Sequence, residues 1–105
     1  MKKVVGYLTT RRMIIKITGY VYIDSIGGSW IIFRRKDNPK LLTMSNNWGC
    51  VEATTGFGFG IEFYSKKKII DFIEMNNKLM MNYLRTDSDL VKFAKTKIME
   101  ATKAE

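Results

Sequence analysis

The stretch FGFGIEFYSKKKII, residues 57–70, changes its period halfway along. Alternate positions from Phe57 to Phe63 are apolar, and a period of two is what an extended strand gives its side chains. From Ser65 onward the apolar spacing is helical, and Ser65 is itself a favourable N-cap residue. The change predicts a sheet that ends near residue 64 and a helix that begins near residue 66. The side chains predicted to share the apolar face of the strand are Phe57, Phe59, Ile61 and Phe63.

Short β-rich runs fill the chain before residue 57. They are rich in β-branched and aromatic residues and lie at 4–8, 13–23, 30–35, 41–44 and 48–53. Gly27-Gly28 and Asp37-Asn38-Pro39 supply turn chemistry between them. We predict a hairpin about residues 54–56 and a possible bulge at Gly19.

Two helical patterns follow residue 64. The apolar face of the first is formed by Ile69, Phe72, Ile73, Met80, Tyr83 and Leu84. The second begins at a pattern, Thr86 with Asp89, that resembles a capping box, and it has a narrower apolar stripe. Strands come first and helices last, so a parallel doubly wound sheet is not expected. We predict one α+β domain over residues 1–105: an antiparallel sheet of five or six strands (about 3–64), then two C-terminal helices (about 66–85 and 88–103) packed on one face.

The charge of the chain is high and unevenly placed. Its formal charge is +8, from 18 Lys and Arg against 10 Asp and Glu. Residues 1–50 hold nine of the bases and two acids, a net of +7, whereas residues 51–105 hold nine bases and eight acids, a net of +1. A positive field on one half of a small protein indicates an anionic partner.

The residues that most enzymes use are scarce. Histidine is absent and Cys50 is the lone cysteine, so the commonest general base and the usual zinc ligands are missing. The acids are spread thinly and no phosphate-binding loop motif occurs. We therefore predict no enzymatic activity, no cofactor and no metal, with Cys50 a buried, inert thiol. The first apolar run, residues 4–8, is too short for a signal peptide or a membrane span. Together with the lone cysteine, it predicts a cytoplasmic protein.

The candidate binding residues are cations and aromatic residues on or beside the predicted strands. Arg and Lys bind phosphates, and aromatic faces stack unpaired bases. The set is Arg11, Arg12, Lys16, Tyr20, Tyr22, Trp30, Arg34, Arg35, Lys36, Lys40, Trp48, Lys66 and Lys67. Each residue type also has a structural interpretation. An arginine pair at the end of a strand can simply be solvated in a turn, and a tryptophan can belong to the core. Lys66 and Lys67 stand in the first turn of a helix, where the macrodipole disfavours cations, which fits either an anionic contact or an unoptimised surface.

Two segments resemble the paired signatures of the RNA-recognition motif. Residues 21–26 are similar to its hexamer and residues 55–59 to the start of its octamer. The octamer positions that depart are Thr55, Gly60 and Glu62. The interval between the signatures reads as strands, whereas that family has a helix there, so its fold is not predicted. The residues that stay candidates for stacking without that fold are Tyr22, Phe57 and Phe59.

Residues 48–70 also resemble small phage and mobile-element accessory proteins. Their W-x6-T-G hairpin is matched by Trp48, Thr55 and Gly56, and their S-K-K helix start by residues 65–70. The resemblance implies a phage or plasmid accessory protein that obstructs a host nuclease or another nucleic-acid enzyme. It implies no active-site residue.

Two functions are open at this point. The first is a small, basic, non-enzymatic phage or mobile-element protein that binds nucleic acid through a basic and aromatic sheet surface. The alternative is a phage-encoded, anti-CRISPR-like inhibitor whose basic face binds an acidic or nucleic-acid-binding surface of a bacterial nucleic-acid-processing protein and blocks that protein. Either would act in the host cytoplasm without a membrane partner, and the sequence leaves the oligomeric state open.

Overall fold

The computed structural model describes residues 2–10, 13–41, 46–85 and 88–103. Five strands form one antiparallel sheet in chain order. They are β1 (Lys3–Thr9), β2 (Ile14–Ile23), β3 (Ser29–Arg34), β4 (Trp48–Glu52) and β5 (Glu62–Phe63). Short 3-10 turns at Arg35–Asp37 and Pro39–Leu41 follow β3, and the helices are α1 (Lys66–Leu84) and α2 (Asp89–Lys103). The predicted α+β fold, with the sheet first and two helices last, is confirmed.

The two faces of the sheet are buried in different ways. On the face that we term the helix face, Trp30 and Ile32 pack under α1 against Ile69 and Ile73. The opposite face carries a second cluster, formed by Ile17, Ile31, Phe33 and Val51. The sheet curls over this cluster, because the N–H of Thr9 at the end of β1 donates to the carbonyl of Gly56 beyond β4 at 2.8 Å. Gly56 permits this approach, since a Cβ there would overlap the carbonyl of Tyr7 in β1.

Asn38 joins β2 to the turn after β3. Its Oδ1 accepts from the N–H of Thr18 at 2.7 Å, and its Nδ2 donates to the carbonyls of Thr18 at 3.2 Å and Arg34 at 2.8 Å. The pairing of β2 with β3 ends at Tyr20 and Ile32, so this buried amide continues the connection beyond the ladder. The sequence predicts only a turn here, because a side chain that substitutes for strand pairing has no local signature.

The strand predicted at residues 57–63 is wrong over most of its length. Only Glu62 and Phe63 pair with β4. Phe59 has a φ of 54° and Gly60 a φ of 66°, and left-handed backbone interrupts an extended chain. Phe57 is therefore buried while Phe59 is exposed, and the two do not share one strand face.

Two smaller strand predictions also change. Gly19 is not a bulge, because β1 and β2 pair without interruption from Lys3–Tyr20 to Thr9–Ile14. Its missing side chain instead makes room for the carbonyl of Ile32, which a Cβ would overlap. The strand predicted at 41–44 is not formed at Leu41, which ends a 3-10 turn, and its other residues lie outside the described part of the chain.

Each helix is preceded by a serine that caps its first turn. Oγ of Ser65 accepts from the N–H of Lys68 at 3.2 Å, which confirms the predicted N-cap of α1. At α2, Oγ of Ser88 accepts from the N–H of Val91 at 3.2 Å, so Ser88 caps this helix. Thr86, the residue of the predicted capping box, lies outside the described residues. A third apolar cluster links α2 to the end of α1, and its members are Phe57, Leu84, Val91 and Ala94.

Glu74 fastens the β2–β3 turn to α1. Its Oε1 accepts from the hydroxyl of Tyr22 and from the N–H of Ser25, both at 2.9 Å. Hydrogen bonding from Ser25, and then from Tyr22, lowers the pKa of the Glu74 carboxyl. The ionised carboxylate is therefore the form that holds the turn.

We expect acid to weaken this contact. A carboxyl whose pKa is lowered by folding contributes stability above its unfolded pKa, and that stability is lost as pH falls through the folded pKa. Urea unfolding between about pH 7 and pH 3 should show a steeper loss of stability for the wild type than for Glu74→Gln. Asp71→Asn removes an exposed acid from the same helix and controls for the change in helix charge. Identical pH profiles for Glu74→Gln and the wild type would contradict the assignment.

Candidate nucleic-acid interface

Two aromatic rings and two cations meet on the helix face, beside the N-terminal end of α1. They are Tyr20 of β2, Arg34 of β3, Trp48 of β4 and Lys66 of α1, and we term them the cation–aromatic cluster. Arg34 and Trp48 are direct cross-strand partners. Four elements of the fold therefore contribute one side chain each.

The cations lie against the rings. The guanidinium carbon of Arg34 is 5.3 Å from the ring centroid of Trp48. Nζ of Lys66 is 5.2 Å from the centroid of Tyr20 and 5.8 Å from that of Trp48. The two ring centroids are 6.5 Å apart. Each cation is within the roughly 6 Å at which an aromatic face attracts it, so the rings hold both charges in place.

The position of Lys66 follows from the start of α1. The Ser65 cap fixes the first turn, and the rings of Phe63 and Phe72 pack with centroids 5.6 Å apart where β5 leads into the helix. Unpaired N–H groups of a first helical turn add positive potential. Among the described residues, the acid beside Arg34 is the half-exposed Asp37, whose Oδ2 is 3.6 Å from Nε of Arg34. That Nε is buried and has no hydrogen-bond acceptor in the described part of the chain. An ion pair of this length compensates little of the positive charge at the site.

Strand register extends the positive surface along β2 and β1. Lys16 lies on the same side of β2 as Tyr20, four residues away, and is exposed. Lys3 is the cross-strand partner of Tyr20 and is exposed as well. Lys3 was not among the residues predicted from sequence, because only the register between the strands places it beside the cluster.

The remaining predicted cations lie elsewhere. Arg35 contacts the other side of the sheet, where its Nε is 2.9 Å from Oε1 of Glu62, an ion pair without hydrogen-bond geometry. This ion pair sets Arg35 apart from the cation–aromatic cluster. Lys36 and Lys40 are exposed in the two 3-10 turns, and Lys67 is exposed in the first turn of α1. Arg11 and Arg12 lie outside the described residues.

Two aromatic residues predicted to contact a partner, Trp30 and Tyr22, form bonds within the fold instead. Trp30 is 0% exposed beneath α1, and its Nε1 donates to Oδ2 of Asp24 at 2.8 Å, so it cannot reach a partner. Tyr22 is half-buried with its hydroxyl bound to Glu74, and burial raises its pKa to about 12. Both residues fasten the sheet to α1 or to the turn beside it.

The residues suggested by the RNA-recognition-motif resemblance are also apart from the cluster. Phe57 and Phe59 pack with Tyr83 near the far end of α1, with ring centroids 6.0 to 6.4 Å apart. In the part of the interval between the two signatures that the structure describes, β3 and β4 occur without an α-helix. The described part of this interval thus lacks the helix that the family has there.

The structure further describes the single cysteine, the metal-ligating residue types and the hydropathy of the helices. Cys50 is buried, and burial raises the pKa of its thiol to about 12. Within residues 2–10, 13–41, 46–85 and 88–103, no three His, Cys, Asp or Glu side chains converge on a point where a metal ion would fit. Neither helix, over its described residues, combines the length and the hydropathy that a bilayer-spanning helix needs.

Comparison with known proteins gives no relative. No family model matches the sequence, and neither a curated protein nor a solved structure matches it significantly. The resemblance of residues 48–70 to phage accessory proteins therefore stays a prediction.

Proposed function

We propose that this protein is a non-enzymatic nucleic-acid-binding protein whose cation–aromatic cluster holds phosphates. The observation that supports this most is that Arg34 and Lys66, 32 positions apart in the chain, lie against the same indole ring. Two like charges placed this close repel each other, so their convergence favours an anion between them. A polyanion that spans both charges would gain from each.

The rings lower the cost of binding. Arg and Lys side chains each lose up to about 2 kcal/mol of rotamer freedom when they are ordered. Trp48 and Tyr20 restrict Arg34 and Lys66 before any partner arrives. More of the electrostatic attraction then remains as affinity.

The proposed contacts are to the nucleic-acid backbone. Tyr20 and Trp48 are half-buried and already engaged with cations, so they offer limited surface to stacked bases. Phosphate contacts fix position and carry no direct sequence information. We therefore expect weak sequence preference.

Affinity should fall steeply with salt. If Lys3, Lys16, Arg34 and Lys66 neutralise about four phosphates, log K should decrease with log salt with a slope of about −3 for a single strand. Fluorescence anisotropy with labelled single-stranded DNA, single-stranded RNA and duplex DNA measures this, starting at about 50 mM salt. Absence of binding to all three at that salt, or affinity that does not change with salt, would overturn the proposal.

An acidic protein surface is the alternative target for the same cations. Affinity capture from bacterial lysate, with and without nuclease treatment, separates the two. Loss of the captured material after nuclease supports nucleic-acid binding. Retention of one stoichiometric protein after nuclease would favour the inhibitor function instead.

A further inference from the structure

Beyond Lys68 in its first turn, α1 has an exposed flank without charged side chains. Its buried face holds Ile69, Ile73, Asn77, Met80 and Leu84. At 3.6 residues per turn, a second flank holds the charged residues Asp71, Glu74, Lys78 and Arg85. The third flank holds Phe72, Met75, Asn76, Leu79 and Tyr83. Exposed flanks of surface helices are ordinarily polar, so this third flank departs from the usual pattern.

The apolar flank borders a cleft of about 640 Å³ at the C-terminal half of α1. Phe57 and Met80 are its buried lining, and Phe59, Tyr83 and Leu90 stand around it with 37%, 45% and 48% of their surface exposed. Tyr83 thus lies at the edge of the core and not within it, which corrects the core face predicted for α1. Exposed apolar side chains of three segments meet at this place.

The combined patch is at the upper end of the roughly 300–600 Å² that the largest apolar patch of a monomer covers. Next to the cleft, Met75 and Leu79 are 84% and 72% exposed, whereas Phe93, one helical turn after Leu90, has Nζ of Lys97 over its ring at 5.6 Å. Large side chains offer on the order of 200 Å² each, so Phe59, Met75, Leu79, Tyr83 and Leu90 together expose on the order of 500 Å². A standard stable interface buries about 800 Å² on each partner.

We propose that this patch is the contact between two copies of this chain. Two chains of charge +8 repel each other, and repulsion is least when the halves that meet are the ones near neutrality. The apolar side chains of the patch belong to residues 51–105, which carry a net of +1, whereas residues 1–50 carry +7 and contribute Thr9 and Thr10 to the cleft. Along the axis of α1, the two ends of the patch, Met75 and Tyr83, are about 14 Å and about 25 Å from Lys66.

The shape of the patch suits a two-fold arrangement. Met75 is 84% exposed on α1, and Leu79 lines the concave cleft beside it, so each copy offers both a projection and a recess. An isologous contact pairs the projection of one copy with the recess of the other, twice. A copy of the chain therefore accounts for both features without another partner.

The test is the mass in solution of the wild type and of Leu79→Lys, by sedimentation and light scattering from nanomolar to high micromolar concentration. We expect the wild type to approach twice 12.2 kDa with rising concentration. Leu79→Lys should raise the dissociation constant by about 100-fold or more, because a buried leucine is lost at two symmetric places. Leu79 is 72% exposed in the single chain, so folding, checked by circular dichroism, should be unchanged.

Met99→Lys is the matched control. Met99 is 59% exposed on the opposite flank of α2, and its replacement adds the same charge to the same half of the chain. The control should self-associate like the wild type. A wild type that stays monomeric at all concentrations, or equal effects of the two lysine variants, would overturn the proposal. Nucleic-acid binding by a monomer would leave the proposed function standing, so the two failures are distinguishable.

Discussion

Trp30→Ala is expected to lower the free energy of unfolding by about 3–5 kcal/mol, the range for aromatic-to-alanine changes in protein cores. The indole is 0% exposed and packs with Ile32, Cys50 and Ile73 between the sheet and α1. Small domains have about 5–15 kcal/mol of stability in total, so this loss is a large share of it. Urea unfolding followed by circular dichroism measures the change.

The hydrogen bond of the indole can be tested separately. Asp24 is buried, and its Oδ1 accepts from the N–H groups of Ile26 at 2.9 Å and Gly28 at 2.8 Å while its Oδ2 accepts from Trp30. Trp30→Phe retains most of the apolar volume but leaves Oδ2 of Asp24 without that donor. We expect a cost of about 1–3 kcal/mol for this unpaired buried acceptor. The phenylalanine variant also keeps the test usable if Trp30→Ala does not fold.

Trp48→Ala provides the control, because Trp48 is the other of the two tryptophans in the chain. It is half-buried at the surface of the sheet, so its removal should cost about 1 kcal/mol, the usual size for a partly exposed site. Each variant keeps one tryptophan as a fluorescence probe. Equal losses from Trp30→Ala and Trp48→Ala would contradict the assignment of one indole to the core and the other to the surface.

The parts of the fold predicted correctly are those with local causes. Ser65 caps α1 through a hydrogen bond to a residue three positions on, and the apolar period of α1 is local as well. The strand predicted at 57–63 failed because alternation also suits a loop in which Phe59 takes left-handed backbone between two glycines. What places Phe57 against α2 and Phe59 outside is packing with distant residues, which periodicity does not contain.

The candidate site was predicted by residue type but not by position. Arg34 and Arg35 are neighbours, yet one lies against Trp48 and the other pairs with Glu62 across the sheet. By residue type alone, the two arginines cannot be told apart, and neither can the two tryptophans. Strand register decides between them, and it depends on the pairing of segments that are far apart in the chain.

The double variant Arg34→Glu with Lys66→Glu should weaken nucleic-acid binding by about 100-fold at low salt, which corresponds to about 1.4 kcal/mol for each site. Both cations of the cluster become anions, so two phosphate contacts are lost and local repulsion replaces them. The slope of log K against log salt should become shallower by about 1.5 to 2. Anisotropy titrations of the same labelled strands at several salt concentrations give both quantities.

The variant should remain folded, which separates loss of binding from loss of structure. Glutamate in the first turn of α1 is favourable to the helix dipole, so Lys66→Glu does not weaken the helix start. Arg34 is partly exposed, and its ion pair with Asp37 is a weak surface contact. Thermal unfolding by circular dichroism should therefore stay close to that of the wild type.

Lys36→Glu with Lys40→Glu is the matched control for total charge. Each reversal changes the charge by two, so both double variants go from +8 to +4. Lys36 and Lys40 are exposed in the turns after β3 and outside the cation–aromatic cluster, so their reversal should lower affinity by less than about tenfold through the long-range field alone. Equal losses in the two double variants would mean that net charge, and not the ordered pair of cations on Trp48 and Tyr20, governs binding.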